Sequence, residues 1–250
     1  MLDIHPVRRA LGSWREFAFH IATITVGLLI AIALEQSVEK LHQLRERHQL
    51  QHDLLEEATH NRETLLSDLK LESEQAWFRT AMTATAATSQ GGDRVTLTLP
   101  PTPCIPGTLG ANGADDTIDT RYFAPSDAVW ATAKDAGLIV RLPAEQARMY
   151  VRLEHNIQLQ ADERDRVELA CNHLVALQTR FATIAADRKS ANWTLTPAER
   201  DQLADAAASA DTALRALLWR MRWNLRFEEG ILQGQRNFDL ILMNGTVTTK

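Results

Sequence analysis

The sequence predicts an all-α chain: a single N-terminal transmembrane helix that continues into an elongated antiparallel bundle of three long helices, with one short helix and a long Gly/Pro-rich loop. Three observations carry this expectation. Residues 17–34, FAFHIATITVGLLIAIAL, hold no Asp, Glu, Lys or Arg over eighteen positions, about the length a helix needs to cross the hydrocarbon core of a bilayer. Downstream, apolar residues recur every three or four positions over long stretches without Pro or Gly, the period of a helix with one buried face. Between these stretches, residues 89–120 concentrate Gly, Pro, Asp and Thr, a composition that breaks helices.

The expected organisation is a basic tail over residues 1–16, a membrane helix over 17–34 and a helical extramembrane domain over 35–250, with an irregular loop at about 88–124. The tail carries Arg8, Arg9 and Arg15, with Trp14 where an aromatic ring would sit at headgroup level. Basic residues beside a first span are retained in the cytoplasm, so the expected orientation is a cytoplasmic N-terminus with the large domain exported. Lys40, Arg45 and Arg47 compete from the other flank, and the nearness of Arg15 together with the early acids Glu35 and Glu39 tips the count. A cleaved signal peptide is the rival reading, since Ala31-Ile32-Ala33 forms an A-x-A pattern. Against it stand an apolar run longer than such segments use and the strong helix formers that continue past it. A buried core helix is the third reading. Thr23, Gly27 and Ala31 are four apart and form a small-residue face suited to self-association in the membrane. His20 is near the start of the span, where its ring can reach the interface.

The first long helix is expected to run from the anchor to about Ala87, with Leu34, Val38, Leu41 and Leu44 on one stripe and Leu55, Ala58, Leu65, Leu69 and Ala76 resuming it. Within the loop only Val95 to Leu99 alternates like a strand. Ser126 is placed to cap a short helix that Gly137 would end in a left-handed conformation, and LIVRL at 138–142 reads as a small extended bridge. Pro143 should open a helix running to about Ala186, with Tyr150, Leu153, Ile157, Val167, Cys171, Leu174 and Phe181 on its buried face. That helix breaks at DRKSANW. Thr196-Pro197-Ala198-Glu199 is a capping box with Pro at the first helical position. It starts a last helix expected to reach about Met243, with Leu203, Ala207, Ala210, Leu214, Leu217, Met221, Ile231, Phe238 and Leu242 in its apolar row. Asn224, Glu228 and Gln235 interrupt that row, which reads as a solvated stretch or as a polar seam that sets register.

Composition excludes several functions. The formal charge is -5, so nucleic acid is not an expected partner. Two cysteines, Cys104 and Cys171, are too few for a disulfide-rich scaffold or a four-cysteine zinc site; export would allow them to pair if they meet in the fold, and two buried or idle thiols are the plainer reading. No G-x-S-x-G elbow or P-loop occurs, so no catalytic or cofactor-binding residues are assigned and no cofactor is expected. His48, His52, Glu56 and His60 recur every four residues. Neighbours share a helix face, so two of them could hold a metal ion, but each step of four turns by about 40° and no single ion reaches all four. A solvated charged face is the plainer reading. Trp219 and Trp223, among Arg215, Arg220, Arg222 and Arg226, suit an anionic partner or lipid headgroups, or else ion pairs and packing within the bundle.

WREFAFHIATITVGLLIAIALEQSVEKLHQLRERHQLQHDL resembles the opening of a group of bacterial single-pass membrane proteins of uncharacterised function. There a Trp-Arg-Glu-Phe start leads into a His-bearing span, a Gly-Leu-Leu-Ile-Ala centre and a Leu-Glu-Gln exit into a helix. AVWATAKDAGLIVRLPAEQARMYVRLEHN is similar to their pattern of Trp, Ala, Gly and Tyr after the loop. The resemblance covers about seventy residues. It implies an inner-membrane anchor in a Gram-negative bacterium, and supplies no activity, substrate or site residues.

The expectation is therefore a membrane-anchored scaffold, adaptor or sensing module without catalysis of its own. Its partners would be the lipid bilayer, further copies of itself through the membrane helix or bundle, and an unknown protein. A metal-binding envelope protein and an enzyme of unrecognised type are the alternatives.

Overall fold

The structure, a computed structural model, describes residues 14–88, 93–104, 125–186 and 189–235. The chain divides into two units, Met1–Gln51 and His52–Lys250. Among the described residues it is mostly helical, with a long apolar helix near the N-terminus and three short strands, so the all-α expectation is corrected by one small sheet.

Helix α1, Trp14–Asp68, supplies the described part of the first unit. From Trp14 to Arg45 every residue is exposed. Ile24, Leu28, Leu29 and Ile30 are all more than half exposed, although in water such side chains seek cover. The two hydroxyls in the apolar stretch are satisfied within the helix: those of Thr23 and Thr25 donate to the carbonyls of Phe19 and Ile21, each at 2.8 Å. A span in lipid requires this internal satisfaction.

In the second unit, the remainder of α1 buries Leu54, Ala58, Asn61 and Leu65. The helix does not run unbroken to Ala87. Leu69–Glu74 tightens into a 3₁₀ helix before α2, Gln75–Ala87. Three residues per turn instead of 3.6 add roughly 20° at each of the six positions, about 120° in all. Without that overwinding, Trp77, Phe78, Ala81 and Thr85 would face away from the side that Leu54 to Leu65 bury; with it, both sets reach the core. The expected stripe fails at Ala76 for this reason, and at Leu55 because the buried face runs through its neighbour Leu54, about 100° away.

Helices α4, Ala144–Phe181, and α5, Pro197–Leu232, run antiparallel. Asn224, late in α5, donates to Gln160 Oε1 at 2.7 Å and to Asn156 O at 3.5 Å, early in α4. The α4 row is buried as expected from Tyr150 to Leu174, with Gln160 filling its gap and Phe181 half-buried. The α5 row is buried from Leu203 to Ile231; Phe238 and Leu242 lie outside the described residues. Thr196 accepts from the Glu199 N–H while Glu199 accepts from the Thr196 N–H, completing the capping box.

Three strands, β1 Val95–Leu99, β2 Ala182–Ile184 and β3 Ala191–Leu195, form an antiparallel sheet in the order β1-β3-β2. Leu97 lies opposite Trp193, and Leu99 opposite Ala191. Ala191, Trp193 and Leu195 point inward while Asn192 and Thr194 point out. The alternation at β1 was legible in the sequence. The break expected after α4 is in fact a hairpin, and α4 ends at Phe181 rather than Ala186. Leu138–Arg141 is a 3₁₀ turn rather than an extended bridge, entered through Gly137 at φ 68°.

Candidate functional site

A cluster of polar side chains, two of them fully buried, joins α1, α5 and the residues leading into α3, Ala128–Asp135. Asn61 sits at a core position of α1 and is 2% exposed; Glu228 occupies the equivalent place on α5 and is 1% exposed. The Asn61 amide works in both directions. Its Nδ2 donates to Ser126 O at 2.8 Å and to Glu228 Oε1 at 2.9 Å, and its Oδ1 accepts the Ser126 N–H at 2.7 Å. One turn earlier, Glu57 Oε1 accepts from the Ser126 hydroxyl at 2.7 Å and from the Val129 N–H at 3.1 Å. Ser126 Oγ in turn accepts from the Ala128 N–H at 3.2 Å. Ser126 thus makes the expected capping contact, although the residue at the cap position is Asp127.

Burial dominates the electrostatics of this node. It pushes the Glu228 carboxyl up to about 8, helped by repulsion from Glu57 and opposed by the Asn61 donor. At neutral pH Glu228 is therefore mainly a protonated acid. Tyr150 stacks on Trp130 with ring centroids 5.3 Å apart. Its hydroxyl is raised well above the ordinary tyrosine range, by burial first and then by Glu228 and Glu57. At the outer edge, Trp130 Nε1 donates to Glu154 at 3.0 Å, and Lys134 pairs with the same carboxylate. That pairing lowers Glu154 and raises Lys134.

Chemically the node can hold a proton and fix the chain at Ser126. Its donors and acceptors are turned on one another, and the groove described between α4 and α5, about 800 Å³ and lined by Leu169, Ala170, His173 and Ala213 among others, lies elsewhere. The node also bounds the Gly/Pro-rich segment at its C-terminal end. Before that segment, Trp77 Nε1 donates to Pro100 O at 2.8 Å, Thr102 N–H donates to Gln178 Oε1 at 2.8 Å, and Cys104 is disulfide-bonded to Cys171. Residues 105–124 themselves lie outside the described residues.

Sequence-expected sites fare unevenly. On α1, His52 Nδ1 stands 3.9 Å from Glu56 and 3.7 Å from Asp53. Their ligand-type atoms all lie within 4.8 Å of one another, so the structure adds Asp53 to this group and leaves out His48 and His60. Thr23, Gly27 and Ala31 are uncovered, and a methyl added at Gly27 would meet nothing within 4 Å. Arg222 pairs with Glu72 at 2.7 Å and Arg215 pairs with Asp211, while Arg220 and Arg226 lie over the rings of Trp219 and Trp223. Much of that basic, aromatic turn is therefore engaged within the fold. Asn224 and Glu228 are fully buried, which corrects the reading of this part of α5 as a solvated stretch.

Glu57 and Asn61 escaped the sequence reading. The signal was present: Asn61 falls in step with Leu54, Ala58 and Leu65, so a polar group was committed to the core.

No family model, curated protein or solved structure matches this chain.

Proposed function

We propose that this protein is a membrane-anchored helical scaffold, adaptor or sensing module of a bacterial envelope, without catalysis of its own. In this reading, residues 17–34 cross the inner membrane with the N-terminus cytoplasmic. The following helices form an elongated bundle in the periplasm. One observation carries it: the uncharged stretch of α1 is wholly uncovered by protein, and lipid is the solvent that makes such a surface stable. The Cys104–Cys171 disulfide supports export, because disulfides persist in oxidising compartments. The basic tail supports the orientation, and the resemblance to single-pass bacterial proteins agrees with both. The non-catalytic reading is supported by the Glu228 node, whose hydrogen bonds are directed at its own neighbours.

The test is fractionation of cells producing the chain with tags at both ends. Both tags on one full-length band in the alkali-resistant membrane pellet, with protease reaching only the C-terminal tag after the outer membrane is opened, is the expected result. Loss of the N-terminal tag would show a cleaved leader, and an alkali-soluble full-length chain would remove the anchor. The grouping of His52, Asp53 and Glu56 favours a second reading, a metal-binding envelope protein. Metal analysis of untagged protein separates the two.

A further inference from the structure

We infer that α1 carries a homodimerisation seam that crosses the membrane surface and pairs two copies of this chain in parallel. The inference rests on the membrane-anchored reading above. Ile24, Gly27, Ala31, Leu34, Val38 and Leu41 follow one another at spacings of three, four, three, four and three, the alternation that keeps a seam facing one partner along a left-handed coiled coil. All six are exposed; outside the apolar stretch, Val38 is 66% and Leu41 56% exposed.

What selects the occupant is the change of residue type along the seam. Within the stretch assigned to lipid the seam narrows from Ile24 to Gly27 and Ala31, small residues that let helix backbones approach where large apolar ones gain nothing over lipid tails. From Leu34 outward it becomes Leu, Val and Leu, which stabilise a helix pair in water. The switch falls at Leu34, the last residue of the uncharged run. Lipid covers the first half but not the second, and a soluble partner the second but not the first. A partner that uses both halves must itself be a helix that continues from the membrane into water, and a second copy, inserted in the same orientation and to the same depth, presents the matching seam in parallel. The opposite face is built for water: Glu39 and Gln43 hydrogen-bond each other at 2.7 Å. Arg45 occupies the next position at this alternating spacing and ends the seam, leaving Leu44 at its edge.

Single cysteines placed at Leu34, Val38 and Leu41, and at the off-seam positions Glu39, Lys40 and Gln43, test the seam in the full-length chain in native membranes under a mild oxidant. The parent chain, whose two cysteines are already paired, is the background control. A crosslinked band at twice the chain mass, at least fivefold stronger at the three seam positions than at the others, is expected. Two differently tagged versions of Val38→Cys should be recovered in that one band. Gly27→Leu should reduce the Leu34→Cys crosslink while leaving the amount of membrane-inserted protein unchanged. Equal crosslinking at all six positions, a band of other mass lacking the second tag, or monomer throughout would overturn the seam. Appearance of the chain in the soluble fraction would instead overturn the anchor on which it rests.

Discussion

Glu228→Gln isolates the energetic consequence of burying an acid between α1 and α5. In the folded protein this carboxyl is raised from 4.5 to about 8, chiefly by burial, so between those values the native state keeps a proton that the unfolded chain has released. Where the native state binds more protons, stability falls as pH rises. The contribution of Glu228 is therefore undiminished below about pH 4.5 and is lost progressively up to about pH 8, at about 1.4 kcal/mol per pH unit. From about pH 5 to about pH 7.5 the expected loss is of order 3 kcal/mol. Glutamine keeps the oxygen that accepts from Asn61 Nδ2 and has no proton to lose, so this slope should vanish in the variant. Asp68, raised to about 6 by burial, also titrates near this interval, but it is common to both proteins and cancels in the comparison. The assay is guanidinium unfolding of the full chain in a mild detergent, followed by tryptophan fluorescence at the two pH values. Wild type should lose stability relative to the variant as pH rises. Parallel pH dependences, within about 1 kcal/mol, would refute the claim that Glu228 is held protonated by its surroundings.

Three further perturbations probe other parts of the second unit. Replacing Cys104 and Cys171 together by Ser opens a covalent loop of sequence separation 67. Chain entropy puts the expected cost at about 4 kcal/mol, read as a lower unfolding midpoint that matches reduced wild type; an unchanged midpoint would contradict it. Thr196→Ala removes the capping hydroxyl from the first turn of α5 and should cost about 1 kcal/mol in the same assay, with Thr196→Ser restoring most of it. Trp193→Ala empties a wholly buried site on β3 and should cost about 3 to 5 kcal/mol. The companion change Thr194→Ala, on the outward face of the same strand, should stay within about 0.5 kcal/mol.

The course of the main helices could be read from local sequence because their physics is local. An uncharged run of membrane length, apolar residues recurring at helical spacing and a Thr-Pro-Ala-Glu start each act within one or a few turns. The alternation of Ala191, Trp193 and Leu195 with Asn192 and Thr194 was equally visible, but a five-residue strand becomes stable only when a partner such as Val95–Leu99 lies beside it, and that partner is nearly a hundred residues away. Tertiary structure alone decided the rest. The 3₁₀ segment at Leu69–Glu74 exists to bring two stretches of buried face into line, and nothing in LKLESE itself demands it. Asn61 and Glu228 stand 167 positions apart, so neither residue announces that the other will satisfy it. A buried polar group depends on where its partner is brought by the whole fold, whereas a greasy helix face or a cap depends only on neighbours along the chain.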